Sequence, residues 1–374
     1  VPPLRFPEFT KEWEEHALAE YLDFKNGLNP DVKRIGRGLP FISVMDILAD
    51  GTINYDSIRG KVEATEREIE NFSVEKGDIL FLRSSETLED VGRANVYMDN
   101  RTAVYGGFVI RGRKIGDYNP LFFKYLLSTP LARKRTCRMG AGAQHFNIGQ
   151  DGLSKISLCF PLMEEQNKIA RLLSLIDERI ATQNKIIEKL QSLIKGLRVC
   201  CMQRNGSNNV YLSEIAQIYQ PQTISSAELT EDGFLVYGAN GIIGKYKDYN
   251  HKTEQICITC RGNTCGMVNY TKPMSWITGN AMVINTDKYQ DKVYKKYLYH
   301  YLSAYNFNSI ISGSGQPQIV RTPLEKLKIT LPTISEQKQK AMILDKVQDK
   351  IEINHNILNL YILQKQYLLR QMFI

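Results

Sequence analysis

Apolar residues recur every three or four positions along two long segments of the chain, residues 163–204 and residues 335–374. Steps that alternate between four and three residues mark the a and d positions of a heptad, and a seam of more than four heptads predicts a coiled coil. The seam residues are Ile169, Leu173, Ile176, Ile180, Gln183, Ile187, Leu190, Ile194, Leu197 and Cys201 in the first segment, and Lys340, Leu344, Val347, Ile351, Asn354, Leu358, Tyr361, Lys365, Leu368 and Met372 in the second. Each helix of ~40 residues is expected to be about 60 Å long.

A polar residue interrupts both seams at the same step, Gln183 in the first and Asn354 in the second. In an antiparallel pair the midpoints of the two helices meet, so these amides are predicted to hydrogen-bond across the seam and fix its register. A parallel pair would match them as well. We expect antiparallel packing, which puts the intervening domains at opposite ends, related by a pseudo-twofold axis. Lys365 occupies an apolar slot of the seam, which indicates a helix end that frays or meets a partner subunit.

The two helical segments belong to an internal repeat with a constant offset of 171 residues. Before each helix, Pro161 with Glu165-Gln166 corresponds to Pro332 with Glu336-Gln337, and residues 153–156 correspond to 324–327. The glycine-rich stretches 140–144 and 313–316 coincide within one residue. The chain is therefore predicted to be two copies of one unit, each a variable region followed by a helix. The predicted divisions are a first domain over 1–159, a first helix over 160–204, a second domain over 205–328 and a second helix over 329–374.

Each variable region is predicted to mix helices and strands. Short apolar runs at 79–82, 109–110, 256–259 and 282–284 predict strands, and an arginine follows the first and third of these runs. Asn119 and Pro120 predict the N-cap and first position of a helix that ends at residue 128. Asp291 is predicted to play the same part before a helix over 294–302. The fold class is therefore α+β, with two mixed α/β domains joined by two long helices packed as an antiparallel coiled coil.

Composition narrows the class of protein. With 43% hydrophobic and 24% charged residues, the chain is typical of a globular protein, which excludes collagen, low-complexity disorder and a small disulfide scaffold. No stretch approaches the ~18 apolar residues of a membrane span, and the N-terminal residues do not form a signal peptide. Seven cysteines, an odd number, favour free thiols in a reducing compartment, which predicts a cytoplasmic protein.

The charge is unevenly distributed along the chain. Residues 1–100 contain 12 Lys and Arg against 20 Asp and Glu, whereas residues 101–159 contain 10 against 2, with a basic cluster at 133–138. An acidic segment followed by a basic one suits a polyanionic partner. A solvated charged surface explains the same pattern equally well.

Motifs for catalysis and metal binding are incomplete. The loop at 238–246 has five residues between its outer glycines, where a phosphate-binding loop has four. Residues 119–122 lack the second proline of the Asn-Pro-Pro-Phe motif of adenine methyltransferases, and a helix cap explains them. Cys257, Cys260 and Cys265 lack a fourth ligand at a usual zinc spacing. These observations point away from an enzyme and predict no metal site.

Polar residues near the predicted loops are suited to binding nucleic acid instead. Arg and Lys contact phosphates and guanine edges, whereas Asn and Gln read adenine. An ordinary surface role is the alternative for any single residue, but matched positions in both halves favour binding. The candidates are Arg83, Arg93, Arg138, Gln144, His145 and Asn147 in the first half, and Lys245, Arg261, Asn263, Gln316, Gln318 and Arg321 in the second.

The doubled order of glycine-rich loop, Leu-x-Lys-Ile/Leu, Pro with Glu-Gln, and long helix resembles the specificity (S) subunits of type I restriction-modification systems. The ending at residues 368–373 is also typical of that family. The resemblance implies two target recognition domains, each of which reads one half of a bipartite, asymmetric site in double-stranded DNA. It also implies that the helices set the half-site spacing and dock two modification (adenine methyltransferase) subunits, while the full complex adds two restriction/translocase subunits.

The resemblance further implies a non-catalytic subunit without a cofactor of its own and without a membrane partner. S-adenosylmethionine, ATP and Mg²⁺ are then expected on the partner subunits. The alternative that the residues leave open is a coiled-coil scaffold or adaptor whose variable domains bind proteins. A fused enzyme with its own methyltransferase activity is a third possibility, which the missing cofactor and catalytic motifs disfavour.

Overall fold

The computed structural model describes residues 1–142, 144–202, 208–239, 241–313 and 315–374. The predicted boundary between residues 204 and 205, and Ala143, Asn240 and Ser314 of the glycine-rich segments, lie outside the described residues. The chain forms two compact units, the first from Val1–Asn184 with Ile357–Ile374 and the second from Lys185–Asn356. The predicted domain boundaries stay a prediction, because this division separates the chain within the two long helices. None of the helices in the described ranges is long and apolar enough to cross a membrane.

The first unit contains twelve strands among its described residues, most of them short. They are β1 Glu14–Ala17, β2 Leu22–Asn26, β3 Ile35–Ile42, β4 Lys61–Val62, β5 Ser73–Val74, β6 Ile79–Leu82, β7 Ser84–Ser85, β8 Ala94–Val96, β9 Ala103–Tyr105, β10 Val109–Lys114, β11 Phe146–Asn147 and β12 Ser157–Phe160. Its helices are α1 Val44–Leu48, α2 Glu66–Phe72, α3 Pro120–Ser128, α4 Pro130–Cys137, α5 Gln150–Ser154 and the first half of α6 Met163–Met202.

The second unit follows the same plan with fewer elements. Its strands are β13 Asn208–Tyr211, β14 Gln217–Tyr219, β15 Phe234–Gly238, β16 Gly241–Tyr246, β17 Ile256–Thr259, β18 Val268–Tyr270, β19 Trp276–Ile277, β20 Ala281–Asn285 and β21 Lys328–Leu331. Besides the second half of α6, its helices are α7 Lys295–Ala304, α8 Arg321–Glu325 and most of α9 Ile334–Gln371. The two long helices and the four apolar runs are therefore confirmed.

The repeat extends to the order of the strands. A four-stranded sheet has the order β2-β10-β6-β8 in the first unit and β14-β20-β17-β18 in the second. Further matched pairs are β1 with β12 and β13 with β21, both antiparallel, and β3 with β9 and β15 with β19, both parallel. The internal duplication is thus confirmed at the level of topology.

The central strand of each of these sheets is buried on both faces, which explains its continuous apolar sequence. In β6, Ile79 and Phe81 pack in one core with Phe122 of α3, whereas Leu80 and Leu82 pack in a second core. In β17, Ile256 and Ile258 face the core against α7, and Cys257 faces the opposite core. Cys257 and Cys260 therefore belong to different cores, since Cys260 packs with Ile256 and Ile258.

The two long helices run antiparallel within each unit, as predicted. In the first unit, Asp177 of α6 lies 2.6 Å from Lys365 of α9, and Arg179 donates to Tyr361 Oη at 3.3 Å, so rising numbers on α6 meet falling numbers on α9. In the second unit, Arg198 donates to Gln348 at 3.4 Å, and Lys340 Nζ donates to the Cys201 carbonyl at 3.2 Å. Ile194, Leu344 and Ile351 form the buried apolar seam there.

The two polar residues of the seams, Gln183 and Asn354, are both buried. Gln183 is 8% exposed and Asn354 is 9% exposed, and they belong to different units, so their mutual hydrogen bond stays a prediction. Lys365 pairs with Asp177, whose other carboxylate oxygen accepts from Tyr125 Oη at 2.8 Å. A frayed helix end at Lys365 is therefore wrong, because this ion pair holds the side chain inside the seam, whereas contact of this helix end with a partner subunit stays a prediction.

The predicted caps of α3 and α7 differ in outcome. Asn119 Oδ1 accepts from the backbone amides of Leu121 and Phe122 at 2.9 and 3.0 Å, which confirms its capping role. The matching role predicted for Asp291 is wrong. Helix α7 begins at Lys295 with Tyr294 as its N-cap, and the acceptor for the Tyr294 amide is Gln337 Oε1 at 2.8 Å.

The second unit is expected to lose stability as the pH falls from 7 to 5. Burial lowers the pKa of His251 and His300 below the value of about 6.5 in the unfolded chain. The unfolded state therefore binds more protons than the folded state as the pH falls through 6.5. The contribution of these histidines to the free energy of unfolding is fully present above that pH and is lost on acidification. Urea unfolding at pH 7 and pH 5 would show this, with Trp276 as the only fluorescent tryptophan after Trp13→Phe.

The matched control replaces both histidines with glutamine in the same background. This variant should show a smaller change of the urea midpoint between the two pH values. A midpoint that stays constant, or rises, on acidification of the parent protein would contradict the prediction.

Candidate functional site

The glycine-rich stretches form the same hairpin in both units. Ala141 and Asn147 exchange backbone hydrogen bonds of 2.9 Å, and Ser312 and Gln318 exchange bonds of 2.9 and 2.8 Å. The first residue after each closing pair is a glycine with positive φ, +142° at Gly142 and +94° at Gly313. Its Cβ would lie only 2.0 Å from the His145 carbonyl oxygen, or 2.4 Å from that of Gln316. The repeated glycine is therefore required by the hairpin.

A polar cleft lies beside each hairpin. In the first unit it encloses about 390 Å³ and is lined by Arg83 and Asn147, together with Asn26, Gln150 and Asp151. In the second unit it encloses about 370 Å³ and is lined by Arg261, Gln318 and Arg321, together with Tyr219 and Gln220. The structure thus brings five of the predicted residues to two equivalent places. Sequence reasoning missed the others that line the clefts, because the short helix α5 and the strands β2 and β14 that carry or precede them have no distinctive sequence.

The two cleft arginines are not equivalent, although both follow an apolar strand. The Ile148 amide donates to the Arg83 carbonyl at 3.0 Å, and the Ile319 amide donates to the Cys260 carbonyl at 3.0 Å. Arg83 therefore corresponds to Cys260, and Arg261 is one residue further along. Since a shift of one residue in extended chain reverses the face, the two guanidinium groups are presented differently. Arg83 donates to the Gly107 carbonyl at 3.3 Å, whereas Arg261 is exposed and makes no side-chain bond within the described chain.

Three of the predicted cations are paired with carboxylates. Arg93 lies 3.1 Å from Asp90, Lys245 lies 3.3 Å from Asp232 in the hairpin β15–β16, and Arg321 lies 2.7 Å from Glu325. Neither Arg93 nor Lys245 lines a cleft. Exposed pairs of this kind contribute little to stability, so these cations can leave their carboxylates and bind an anionic ligand instead.

The other predicted residues are exposed at the hairpins or nearby. Gln144 and His145 are at the tip of the first hairpin and Gln316 is at the tip of the second, while Arg138 follows α4 and Asn263 follows β17. Their side chains make no hydrogen bond or ion pair with the described residues. They remain candidates for contact with a ligand.

The basic cluster at 133–138 is largely structural. Arg133 donates to the backbone carbonyls of Glu89 and Val91 at 2.8 and 2.7 Å, and burial lowers the pKa of Arg133. Arg135 pairs with Glu15 at 3.0 Å. Lys134 and Arg138 are the exposed cations of the cluster. The sequence of residues 133–138 therefore predicts a larger basic surface than the structure presents.

The chemistry available at the clefts is recognition of polar groups. Arginine, asparagine and glutamine side chains offer hydrogen-bond donors and acceptors of the kind that read phosphates and base edges. Among the residues that the structure describes, no group of three or more His, Cys, Asp or Glu side chains could hold a metal ion.

Comparison with known proteins decides the family. A model described as the type I restriction modification DNA specificity domain matches residues 10–192 and again residues 205–360. The chain belongs to this family. The predicted fold class and the predicted identity as a type I restriction-modification specificity subunit, which recognises a DNA target, are confirmed.

Individual family members are similar over most or part of the chain. The MjaVIII specificity subunit of Methanocaldococcus jannaschii is 26% identical over 403 residues, which cover 94% of this chain and 88% of that one. The EcoprrI specificity subunit of Escherichia coli is 32% identical over 140 residues, 36% of this chain and 34% of its own length. The S subunit of M. genitalium has a similar fold, with a TM-score of 0.68, 16% identity, and coverage of 100% of this chain and 99% of that one.

The Glu-Gln signature of this specificity subunit acquires a structural meaning. Gln166 Oε1 accepts from the Asn119 amide at 3.0 Å, and its Nε2 donates to the Pro161 carbonyl at 3.0 Å. Gln337 does the same with the Tyr294 amide at 2.8 Å and the Pro332 carbonyl at 2.9 Å. Each buried glutamine therefore connects the first turn of a long helix to the start of α3 or α7, which fixes the recognition domain on its helix.

The glutamates of the signature have different partners. Glu165 is buried and receives two hydrogen bonds of 2.7 Å from the Arg5 guanidinium and one of 3.3 Å from Trp13 Nε1. Glu336 caps its own helix with Thr333, whose amide and hydroxyl donate to it at 3.0 and 2.8 Å. The sequence repeat therefore preserves the glutamate without preserving its contacts.

Proposed function

We propose that each unit of this specificity subunit reads one half of a bipartite, asymmetric DNA site. The observation that carries the proposal is the pair of equivalent clefts, each built from a glycine hairpin and the end of a central strand but lined by different polar side chains. The same backbone arrangement carries Arg83 and Asn147 in one unit and Arg261 and Gln318 in the other. Different side chains on one backbone suit two different half-sites. Phosphate contacts should dominate the affinity and make it depend on salt.

The long helices are proposed to set the half-site spacing and to dock two modification subunits. Both carry large apolar side chains in contact with solvent, and apolar surface of this kind marks interaction sites. On α9, Leu360, Leu363 and Tyr367 are 64%, 59% and 58% exposed in the first unit, and Met342, Ile343 and Ile353 are 54%, 56% and 56% exposed in the second. On α6, Leu193 and Val199 are 49% and 41% exposed. The full complex is proposed to add two restriction/translocase subunits.

The chain itself is proposed to be non-catalytic. S-adenosylmethionine, ATP and Mg²⁺ then belong to the modification and restriction subunits. The modification subunit carries out methyl transfer, while this chain keeps it positioned on the DNA site. All seven cysteines are free thiols in the structure, which supports action in the reducing cytoplasm.

The experiment that tests the proposal is methylome sequencing of cells that express the modification subunit with and without this chain. A bipartite adenine-methylated motif should appear only when this chain is present. Exchange of residues 205–328 for those of another family member should then change one half of the motif and leave the other half unchanged.

A modification subunit that is active with a different specificity subunit provides the control. If it co-purifies with this chain but no new motif appears, DNA reading fails and a protein-binding scaffold takes its place. Methyl transfer by the isolated chain supplied with S-adenosylmethionine would contradict the non-catalytic role.

A further inference from the structure

A second pair of equivalent turns lies next to the clefts. Strands β9 and β10 are joined through residues 106–109, and β19 and β20 are joined through residues 278–281. The Val109 amide donates to the Gly106 carbonyl at 2.9 Å, and the Ala281 amide donates to the Thr278 carbonyl at 3.0 Å. Each turn is also tied to the neighbouring parallel strand, since the Gly106 amide donates to Ile42 O at 3.0 Å and the Thr278 amide donates to Tyr237 O at 2.9 Å.

The second residue of both turns is glycine. A Cβ on Gly107 would lie 1.8 Å from Asn29 Oδ1, and a Cβ on Gly279 would lie 2.4 Å from Thr223 Oγ1 and 2.9 Å from the Pro221 carbonyl oxygen. A larger residue would therefore displace the Asn29 side chain in the first unit and meet backbone in the second. The two turns share their hydrogen bonds and this glycine.

The third residue is free to differ, and it does. Phe108 occupies this place in the first unit and is 65% exposed, whereas the exposed Asn280 occupies it in the second unit. Solvent exposure of a large aromatic side chain at 65% is unfavourable for an isolated chain, because its apolar area stays in water. The Asn280 side chain makes no hydrogen bond to any residue that the structure describes.

Hydrogen bonds connect both turns to residues of the clefts. The Arg83 amide donates to the Phe108 carbonyl at 2.9 Å, and the Cys260 amide donates to the Asn280 carbonyl at 3.1 Å. The carbonyl before each of them is also engaged by a cleft side chain, Gly107 O by Arg83 Nη1 at 3.3 Å and Gly279 O by Gln220 Nε2. The two turns are therefore adjacent to the clefts, although the Phe108 side chain itself lines a neighbouring apolar cavity of about 340 Å³. A ligand that extends beyond a cleft over its turn would meet these side chains.

We propose that Phe108 and Asn280 are specificity-determining residues, each of which contacts one base of the half-site read by its own unit. Asn280 pairs with the major-groove edge of an adenine through its amide, and Phe108 makes an apolar contact with the C5 methyl group of a thymine. This inference rests on the proposed function. A fixed backbone with one variable exposed side chain allows the base preference to change without a change of fold.

The test is methylome sequencing with the modification subunit and the full chain carrying Phe108→Ala, Asn280→Ala or Phe108→Asn. Phe108→Ala should relax one thymine position in one half of the motif, with the preference falling about tenfold or more. Asn280→Ala should relax one adenine position in the other half to a similar extent. Phe108→Asn should replace the thymine preference in its own half and leave the other half intact.

The controls separate this inference from the proposed function and from folding. Ile115→Ala removes a side chain that is 61% exposed in the same unit but lies outside the turn and outside the cavity that Phe108 lines, and it should leave the motif unchanged. If the parent protein yields no bipartite motif, the proposed function fails. If the parent motif appears and the variants methylate it with unaltered sequence preference, whether at full or uniformly reduced extent, base reading by the turns is overturned. If Phe108→Ala reduces the bending of the DNA but leaves the motif unchanged, base reading by Phe108 is also overturned, and its ring would instead insert between base pairs.

Discussion

Replacing Arg5 with alanine is expected to destabilise the first unit by about 3 kcal/mol, because a buried carboxylate loses its partner. The Glu165 side chain is 2% exposed and that of Arg5 is 9% exposed, and the two are joined by a bidentate pair of hydrogen bonds. Without Arg5, Trp13 Nε1 at 3.3 Å is the one remaining donor to the carboxylate among the residues that the structure describes. Urea unfolding followed by the fluorescence of Trp13, in a Trp276→Phe background, reports on this unit alone.

Two further variants define the interaction. Lys11→Ala breaks an exposed pair with Glu14, whose members are 61% and 63% exposed, and should change the free energy of unfolding by less than about 0.5 kcal/mol. Glu165→Ala in the Arg5→Ala background removes the unpaired charge and should restore part of the stability. Equal losses for Arg5→Ala and Lys11→Ala would show that the bidentate pair is not a special contact.

Substituting alanine for Gly142 or Gly313 is expected to weaken DNA binding by the complex with its modification subunit by about tenfold or more. Both glycines have positive φ, and a Cβ at either position would overlap a backbone carbonyl oxygen across the hairpin. The hairpins carry Asn147 and Gln318 beside the clefts, so a hairpin that cannot close displaces them. The measurement is fluorescence anisotropy with a duplex that contains the full motif, at a fixed salt concentration.

The chain supplies a matched glycine for each variant. Gly149 borders the first cleft and Gly315 lies in the second hairpin, and a Cβ at either position meets nothing within 4 Å. Gly149→Ala and Gly315→Ala should therefore bind DNA like the parent protein. If Gly142→Ala and Gly313→Ala bind as well as these controls, the shape of the hairpins does not contribute to recognition. Thermal unfolding of all four variants would confirm that the global fold is retained.

The sequence predicts the elements whose signal is long or local. The heptad seams define α6 and α9 because ten mostly apolar positions in each helix follow one period. Asn119 with Pro120 defines the start of α3 because the cap and the helix are adjacent in sequence. The apolar runs define β6 and β17 because both faces of these strands are buried. The two-residue strands β4, β5, β7, β11 and β19 have no comparable signal, since tertiary pairing alone makes them strands.

The errors have the same origin. The sequence pattern predicts Asp291 as the cap of α7, but the helix begins four residues later, with Tyr294 as an N-cap whose side chain makes no capping hydrogen bond. The Tyr294 amide is bound instead by Gln337, which is distant in sequence and comes from α9. Arg83 and Arg261 match in sequence pattern, yet the backbone bonds of Ile148 and Ile319 show that they differ by one residue in register. Phe108 and Asn280 share no residue type, so only the hydrogen bonds of their turns reveal that they are equivalent.

The contribution of α9 to the first unit has a consequence for synthesis of the protein. Leu368, Met372 and Phe373 belong to the core that contains β6 and α3, and the Leu4 amide donates to the Gln371 carbonyl at 2.9 Å. All of these late residues follow the second unit in the chain, which is continuous from Lys185 to Asn356. During synthesis on the ribosome, the second unit can therefore fold first, whereas the core of the first unit stays incomplete until residues 357–374 emerge. A premature stop codon in α9 would thus disable the recognition domain translated first.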